Sequence, residues 1–351
     1  MKSKKKFAFV KKAVAVFCAL LLCLPLSACK TFAKAFEKQD FLMDTVLIQK
    51  IYAEKGAEQI SQKVFKSLSE SEKRLSAFDE NSELYKINQS AGAPVSASGE
   101  TIAFIKESLE LSKGGSEDSF DISVFPLSSL WKNAISLNRL PSESEIRSAA
   151  ALVDDKKIVI DTRNNTVTLP AGMGLDLGAL AKGGSLKEAR VIFEQNNVTG
   201  AICSLGSSAM LLYGTKPDGS NFKIGLRDPF GEASEHFATI SLSDCIISTS
   251  GGYERYAEID GKKYHHIIDP KTGYPVDTDV ASVTVIGQDG ALCDFLSTKL
   301  FMCGFDNAVH IAQQQKLSVV LVSNSKKVFI SENLAESFEL KGTEYERVGI
   351  E

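Results

Sequence analysis

No two cysteines of this 351-residue chain stand at C-x-x-C spacing, so the usual zinc and dithiol signatures are missing. Histidine is scarce as well, with four in the whole chain. There is no basic stripe and no interleaving of aromatic side chains with Lys and Arg, which argues against nucleic acid as a partner. No internal repeat is visible. The longest apolar run, Ala13 to Leu24, falls short of the roughly 20 residues that a bilayer crossing requires.

That run has the makings of a leader. Lys2, Lys4, Lys5, Lys6, Lys11 and Lys12 precede it without an acid, and it ends in Leu26-Ser27-Ala28-Cys29, which resembles the lipobox of bacterial lipoproteins. The expectation is a lipoprotein signal peptide over 1–28, a lipid-modified Cys29 and a short tether over 29–39. This implies an extracytoplasmic protein anchored on the outer or periplasmic face of a bacterial membrane, each buried CH₂ of the anchor contributing about 0.8 kcal/mol. The alternative is a plain secretory leader with an incidental Cys29. Six lysines leave with residues 1–28, so 40 basic against 44 acidic residues becomes 34 against 44, an acidic mature chain. Cys18 and Cys23 leave too. Cys203, Cys245, Cys293 and Cys303 lie in apolar contexts and read as buried small hydrophobes; a disulfide stays open in an exported protein, with no pair indicated.

Residues 40–351 are long enough for one large domain. Phe41 to Ile48 reads as a strand. Ile60, Val64, Leu68 and Leu75 share one helical face, and Ile102, Ile105 and Leu109 begin a second helix that Gly114-Gly115 ends. A helix over Ser142 to Leu152 opens at Pro141, and Arg163-Asn164-Asn165 turns a hairpin between Lys157–Ile160 and Thr166–Leu169. Leu180 to Gln195 is helical, followed by short strands near Ala201, Leu211, Phe222 and Ile240. A last helix spans Ala291 to Cys303, and strands at Val319–Val322 and Val328–Ile330 close the chain. The fold class is α+β or mixed α/β with antiparallel pairing.

Three stretches could carry chemistry. Asp294 and Thr298 stand four apart on a predicted helix, two hard oxygen donors on one face as Mg²⁺ prefers, although this spacing more commonly marks a side-chain hydrogen bond. Asp176 to Gly184 (DLGALAKGG) turns from a strand end into a helix, exposing backbone N–H groups to an anion beside Lys182; a joint without ligand is its commoner meaning. Thr249 to Arg255 (TSGGYER) and Tyr264 to Gly273 (YHHIIDPKTG) crowd glycines, two histidines and an Asp-Pro turn together. A histidine there serves either as a general base or as a hydrogen-bonding group of the turn.

In this order, the segments Asp176–Gly183, Thr249–Arg255, His266–Pro275 and Asp294–Thr298 resemble the ApbE family of FAD:protein FMN transferases. Landmarks upstream, among them Phe41 to Thr45, Leu75 to Phe78 and Phe120-Asp121, extend the likeness over nearly all of the mature chain. The resemblance implies an ApbE or T-fold-like architecture, antiparallel sheets flanked by helices, with FAD in a cleft between sub-domains. It implies Mg²⁺ held by the Asp294 carboxylate, the Thr298 hydroxyl and the Ala179 carbonyl. FAD contacts are implied at Met43, Phe78, Ser119, Phe120, Asp121, Asp176, Lys182 and Ile268. His266 is implied as the base toward an acceptor hydroxyl, with His265 a neighbour.

The implied reaction attaches FMN by a phosphoester to Thr or Ser of an acceptor flavoprotein, such as an Rnf- or Nqr-type subunit or an extracytoplasmic flavin reductase, and releases AMP. Two alternatives are a Mg²⁺-dependent FAD pyrophosphatase and a non-catalytic FAD-binding lipoprotein. The chain departs from the family in carrying Asp44 where a Gly is usual, and Ser204-Leu205-Gly206-Ser207 where Asn-x-Gly-Gly is usual. The latter change adds a Cβ where the backbone is expected close to the cofactor.

Overall fold

The computed structural model describes residues 34–113, 120–206 and 208–349. The leader, Cys29, Gly114-Gly115, Ser119 and Ser207 lie outside the described residues. The chain from Lys34 onward clusters as one unit.

Its frame is a nine-stranded sheet whose order is Phe36–Leu42, Thr45–Tyr52, Gly200–Leu205, Ala209–Gly214, Cys245–Gly251, Val280–Gly287, Ser318–Ser323, Lys327–Ile330 and Glu346–Val348. All neighbours pair antiparallel except the last two strands, which are parallel. Three small sheets accompany it: Phe338–Leu340 with His236–Leu242 and Phe222–Arg227, Val95–Ser96 with Thr166–Thr168 and Val159–Asp161, and the hairpin Tyr256–Ile259 with Lys262–His265.

Eight α-helices occur among the described residues: α1 (Ala57–Leu75), α2 (Glu83–Asn88), α3 (Gly99–Lys113), α4 (Phe125–Ser136), α5 (Glu143–Ala150), α6 (Ala181–Gln195), α7 (Gly290–Met302) and α8 (Phe305–Gln314). The spacing of apolar residues fixes the first of these. Ile60, Val64, Leu68 and Leu75 of α1 are all buried, each contributing roughly 1.5–3 kcal/mol by leaving water. Helix α5 starts where Ser142 and Glu145 form a capping box. By contrast α7 is apolar almost all round and therefore runs through the interior, so its one acid, Asp294, is buried with it.

Four sequence-based expectations need correction. The stretch Phe41–Ile48 is two strands rather than one, joined at Met43 and Asp44, whose φ values of 53° and 55° give the doubly left-handed turn that suits a tight hairpin. Without a glycine the turn carries no obvious mark, although Asp tolerates this backbone better than most residues. The first strand begins at Phe36, inside the segment read as a tether, because its alternating half-exposed side chains are mostly polar. Helix α8 was not expected: Gly304 (φ 79°) breaks the chain after α7, and the Asp279 carboxylate accepts the Phe305 N–H to start a new helix. Finally, strands Phe338–Leu340 and Glu346–Val348 follow those expected to close the chain. Cys203, Cys245 and Cys293 are buried free thiols, their pKa values pushed up to about 12 by burial.

Candidate active site

Helices α6 and α7 cross at backbone contact. A Cβ on Gly183 would lie 2.2 Å from the Gly290 carbonyl oxygen, and one on Gly290 would lie 2.0 Å from that of Gly183, so neither position admits a side chain. The close approach brings Asp294 onto the first turn of α6, where Leu180 supplies no side-chain cap. Asp294 Oδ2 accepts the Gly183 N–H at 2.6 Å and serves as a cap from another helix. As the third residue of α6, Gly183 has no intrahelical acceptor for its N–H. Among the described residues no backbone N–H donates to the Ala179 carbonyl, an oxygen two residues before the start of α6.

The electrostatics fit a bound cation. Burial pushes the Asp294 pKa up to about 6, against the opposing effects of the Lys182 charge, the adjacent Ser248 hydroxyl and the Gly183 N–H. Lys182 is itself lowered, by desolvation first, while Asp294, Glu254 and Asp176 oppose the shift. One turn along α7, Thr298 Oγ1 lies 3.1 Å from Ser250 Oγ, which also bonds Ser297 Oγ at 2.8 Å. Among the described residues no three His, Cys, Asp or Glu side chains converge on one point. Carboxylate, hydroxyl and carbonyl oxygens are nevertheless the donor chemistry that Mg²⁺ accepts, and the partly unsatisfied Ala179 carbonyl and the destabilised Asp294 charge both fit such an ion.

The two adjacent histidines separate by their partners. His265 is engaged at both nitrogens: Nδ1 accepts the Ile267 N–H at 3.3 Å, so Nε2 carries the proton and donates to the Val276 carbonyl at 3.0 Å. Its ring also meets Phe301 edge-on. His266 donates through Nδ1 to the Arg255 carbonyl at 3.2 Å, and its own N–H goes to the same oxygen. The carbonyl can only accept, so the proton sits on Nδ1 and the lone pair of Nε2 is left to act as a base. Desolvation, joined by the positive charges of Arg255 and Lys182, pushes the His266 pKa down to about 4 against the opposing hydrogen bond to the Arg255 carbonyl.

A second group of expected residues forms a wall along α4. Asp176 Oδ2 accepts the Ser128 hydroxyl at 2.8 Å and its Oδ1 accepts the Gly178 N–H at 2.9 Å. Phe78 leans on Phe125, ring centroids 5.4 Å apart. Asp176 is within electrostatic reach of Lys182, which joins this wall to the α6–α7 floor.

Other expected contacts sit farther back. Met43 donates its N–H to Glu72 at 2.7 Å, and its sulfur lies 3.9 Å from the Ser185 hydroxyl of α6. Phe120 packs edge-on against Phe295 of α7 at 4.9 Å. The Asp121 carboxylate is taken up by Ser123 and by the Asp155 N–H, which makes it a brace for its own loop. The Ile268 side chain is buried with Leu127, Trp131, Ile146 and Ala149, so only its backbone can face a ligand. Asp44 is exposed in its turn. Ser204 holds the Gly206 carbonyl at 2.6 Å. Sequence reasoning gave no role to Ser128, Lys132, Glu72, Ser250 or Arg255; the last two stood inside a recognised motif, whereas the others carried no signal beyond helical spacing.

A floor made of a buried acid, a helix N-terminus and a neutral imidazole, flanked by two cations, defines a protein built for chemistry on an anionic substrate. The profile of the ApbE family matches residues 43–321. An FAD:protein FMN transferase of Klebsiella pneumoniae is 30% identical over 296 residues, 83% of this chain and 90% of that protein. One of Haemophilus influenzae is 28% identical over 338 residues, 92% of this chain and 96% of that one. The crystal structure of the ApbE protein of Thermotoga maritima superposes with a TM-score of 0.79 at 29% identity, over 87% of this chain and 99% of that chain. The chain belongs to the ApbE family.

Proposed function

We propose that the chain is a Mg²⁺-dependent FAD:protein FMN transferase. The observation that carries this reading is the Asp294 carboxylate on the first turn of α6, with His266, whose Nε2 is free, within electrostatic reach of Lys182 on that turn, in a chain whose relatives carry that name. Asp294, Thr298 and the Ala179 carbonyl are the residues that would hold Mg²⁺. When bound, the ion neutralises diphosphate charge.

This chain's own groups then do three things. Lys182 and Arg255 supply positive charge where the diphosphate lies. The wall of Phe78, Ser128 and Asp176 positions the nucleotide. His266 Nε2 takes the proton of an acceptor Thr or Ser hydroxyl as its oxygen bonds to the FMN phosphorus, and the bond to the AMP oxygen breaks. The acceptor is a flavoprotein, with an Rnf- or Nqr-type subunit or an extracytoplasmic flavin reductase as candidates. The leader and Cys29 support placement on the outer side of a membrane by lipid, and no helix among the described residues is long and apolar enough to cross one.

The test is intact-mass measurement of a candidate acceptor incubated with FAD, Mg²⁺ and the protein. Gain of one FMN unit, lost on chelation and reduced about a thousandfold in rate by Asp294→Ala, is the expected result, since removing a metal ligand costs several kcal/mol of transition-state stabilisation. FMN release without any acceptor adduct would instead mean hydrolysis, and FAD bound with no AMP formed would mean a binding protein.

A further inference from the structure

Phe125, Ser128 and Lys132 stand at i, i+3 and i+7 of α4 and so share one face. Two of the three have been placed already: Phe125 beneath Phe78, and Ser128 on Asp176. The third, Lys132, lies with Nζ 3.6 Å from the centroid of the Phe78 ring. Phe78 is 38% exposed, one of the large apolar residues left open to solvent. Phe125 cannot retreat from it, because Phe125 packs against Gly174 so closely that a Cβ there would fall 2.5 Å from its ring. Lys132 is exposed, and among the described residues it forms no ion pair. A cation without a counter-ion thus rests on an aromatic shelf beside the site.

We propose that Lys132 is a specificity-determining residue that favours a flavin carrying a diphosphate over an uncharged flavin. A flat ring that stacks on Phe78 must first displace the ammonium from it. Once displaced, the ammonium stays on the α4 face one turn from Ser128, beside the bound ligand. A diphosphate gives it a new partner, whereas riboflavin gives it none. Displacement is therefore offset for FAD and uncompensated for riboflavin. This inference rests on the site reading given under Proposed function, because it needs flavin at Phe78.

The experiment is a pair of dissociation constants, for FAD and for riboflavin, from flavin fluorescence on the purified full-length chain, in wild type, Lys132→Met and Lys132→Arg. The ratio of riboflavin Kd to FAD Kd is expected to fall about fivefold in Lys132→Met and to hold in Lys132→Arg, which keeps the charge. Using a ratio removes any effect of the substitution on the fraction of folded protein. A ratio within twofold of wild type in Lys132→Met overturns the proposal, as does an equal fall in Lys132→Arg, since charge would then not be what is read. Wild-type protein that binds neither flavin sinks the site reading itself, and this inference with it.

Discussion

The α6–α7 floor and the α4 wall border the same site but are built by opposite means. On the floor, two backbones touch at Gly183 and Gly290, and the acid at 294 is buried with its carboxylate held by the Gly183 N–H. The wall consists of side chains at the surface: Phe78 on Phe125, Lys132 on Phe78, Ser128 on Asp176. Rigidity on the floor suits groups that must meet a reacting phosphorus within a fraction of an ångström. Looser construction on the wall suits groups that select and admit a ligand. Substitutions in the floor should therefore cost reaction rate or fold stability, and those in the wall should change binding alone.

After the loss expected of Asp294→Ala, the next largest effect falls on His266. His266→Gln removes the free Nε2 and should lower the transfer rate by a hundredfold or more with FAD affinity nearly unchanged, as measured by single-turnover FMN incorporation. The base works deprotonated, and its pKa is pushed down to about 4, so at Mg²⁺ high enough to keep Asp294, itself raised to about 6, ionised, activity should stay level as pH falls from 8 to 5 and drop only below that. A bend near 6.5 retained at saturating Mg²⁺ would show a histidine of ordinary basicity at work and would overturn the lowered basicity of His266. A smaller effect, on stability, is expected of Gly183→Ala. The added Cβ meets the Gly290 carbonyl oxygen at 2.2 Å and Asp294 Cγ at 2.8 Å, so the helices must separate. Overpacking of this kind costs about 3 kcal/mol, roughly 4–5 °C in melting temperature for a domain of this length by scanning calorimetry. Gly99→Ala is the control, since a Cβ there opens onto free space at the first residue of α3, and it should leave the melting temperature within about 1 °C.

The floor was far more legible in the sequence than the wall. Asp294 and Thr298 could be paired because helical spacing alone puts them on one face, and α1 could be drawn from four apolar residues that all proved buried. The glycines of DLGALAKGG were read either as a turn open to an anion or, more commonly, as a joint without ligand; the structure gives Gly183 a packing reason, the helix crossing, which depends on Gly290 more than a hundred positions away and has no local mark. The Met43–Asp44 turn stayed hidden because the residues there lack the glycine that normally signals it. Ser128 and Lys132 were invisible for a related reason. Each is an ordinary polar residue on a surface helix until the fold brings Asp176, 48 positions on, against the first and Phe78 against the second.

The smallest effect tests the division most sharply. Ser128→Ala removes the hydroxyl that Asp176 Oδ2 accepts at 2.8 Å, yet Oδ1 keeps the Gly178 N–H and the carboxylate is only partly buried, so water can replace the lost donor. A hydrogen bond of this kind is worth about 0.5–1.5 kcal/mol. If Asp176 positions the nucleotide, that loss appears as roughly threefold to tenfold weaker FAD binding by fluorescence titration, with the rate of the bound complex and the melting temperature unchanged. Its combination with Lys132→Met should be non-additive, because both residues act on the same few ångströms of the wall. A fall in melting temperature comparable to that of Gly183→Ala would mean that α4 is as much a part of the rigid frame as α6 and α7, and the distinction between floor and wall would collapse.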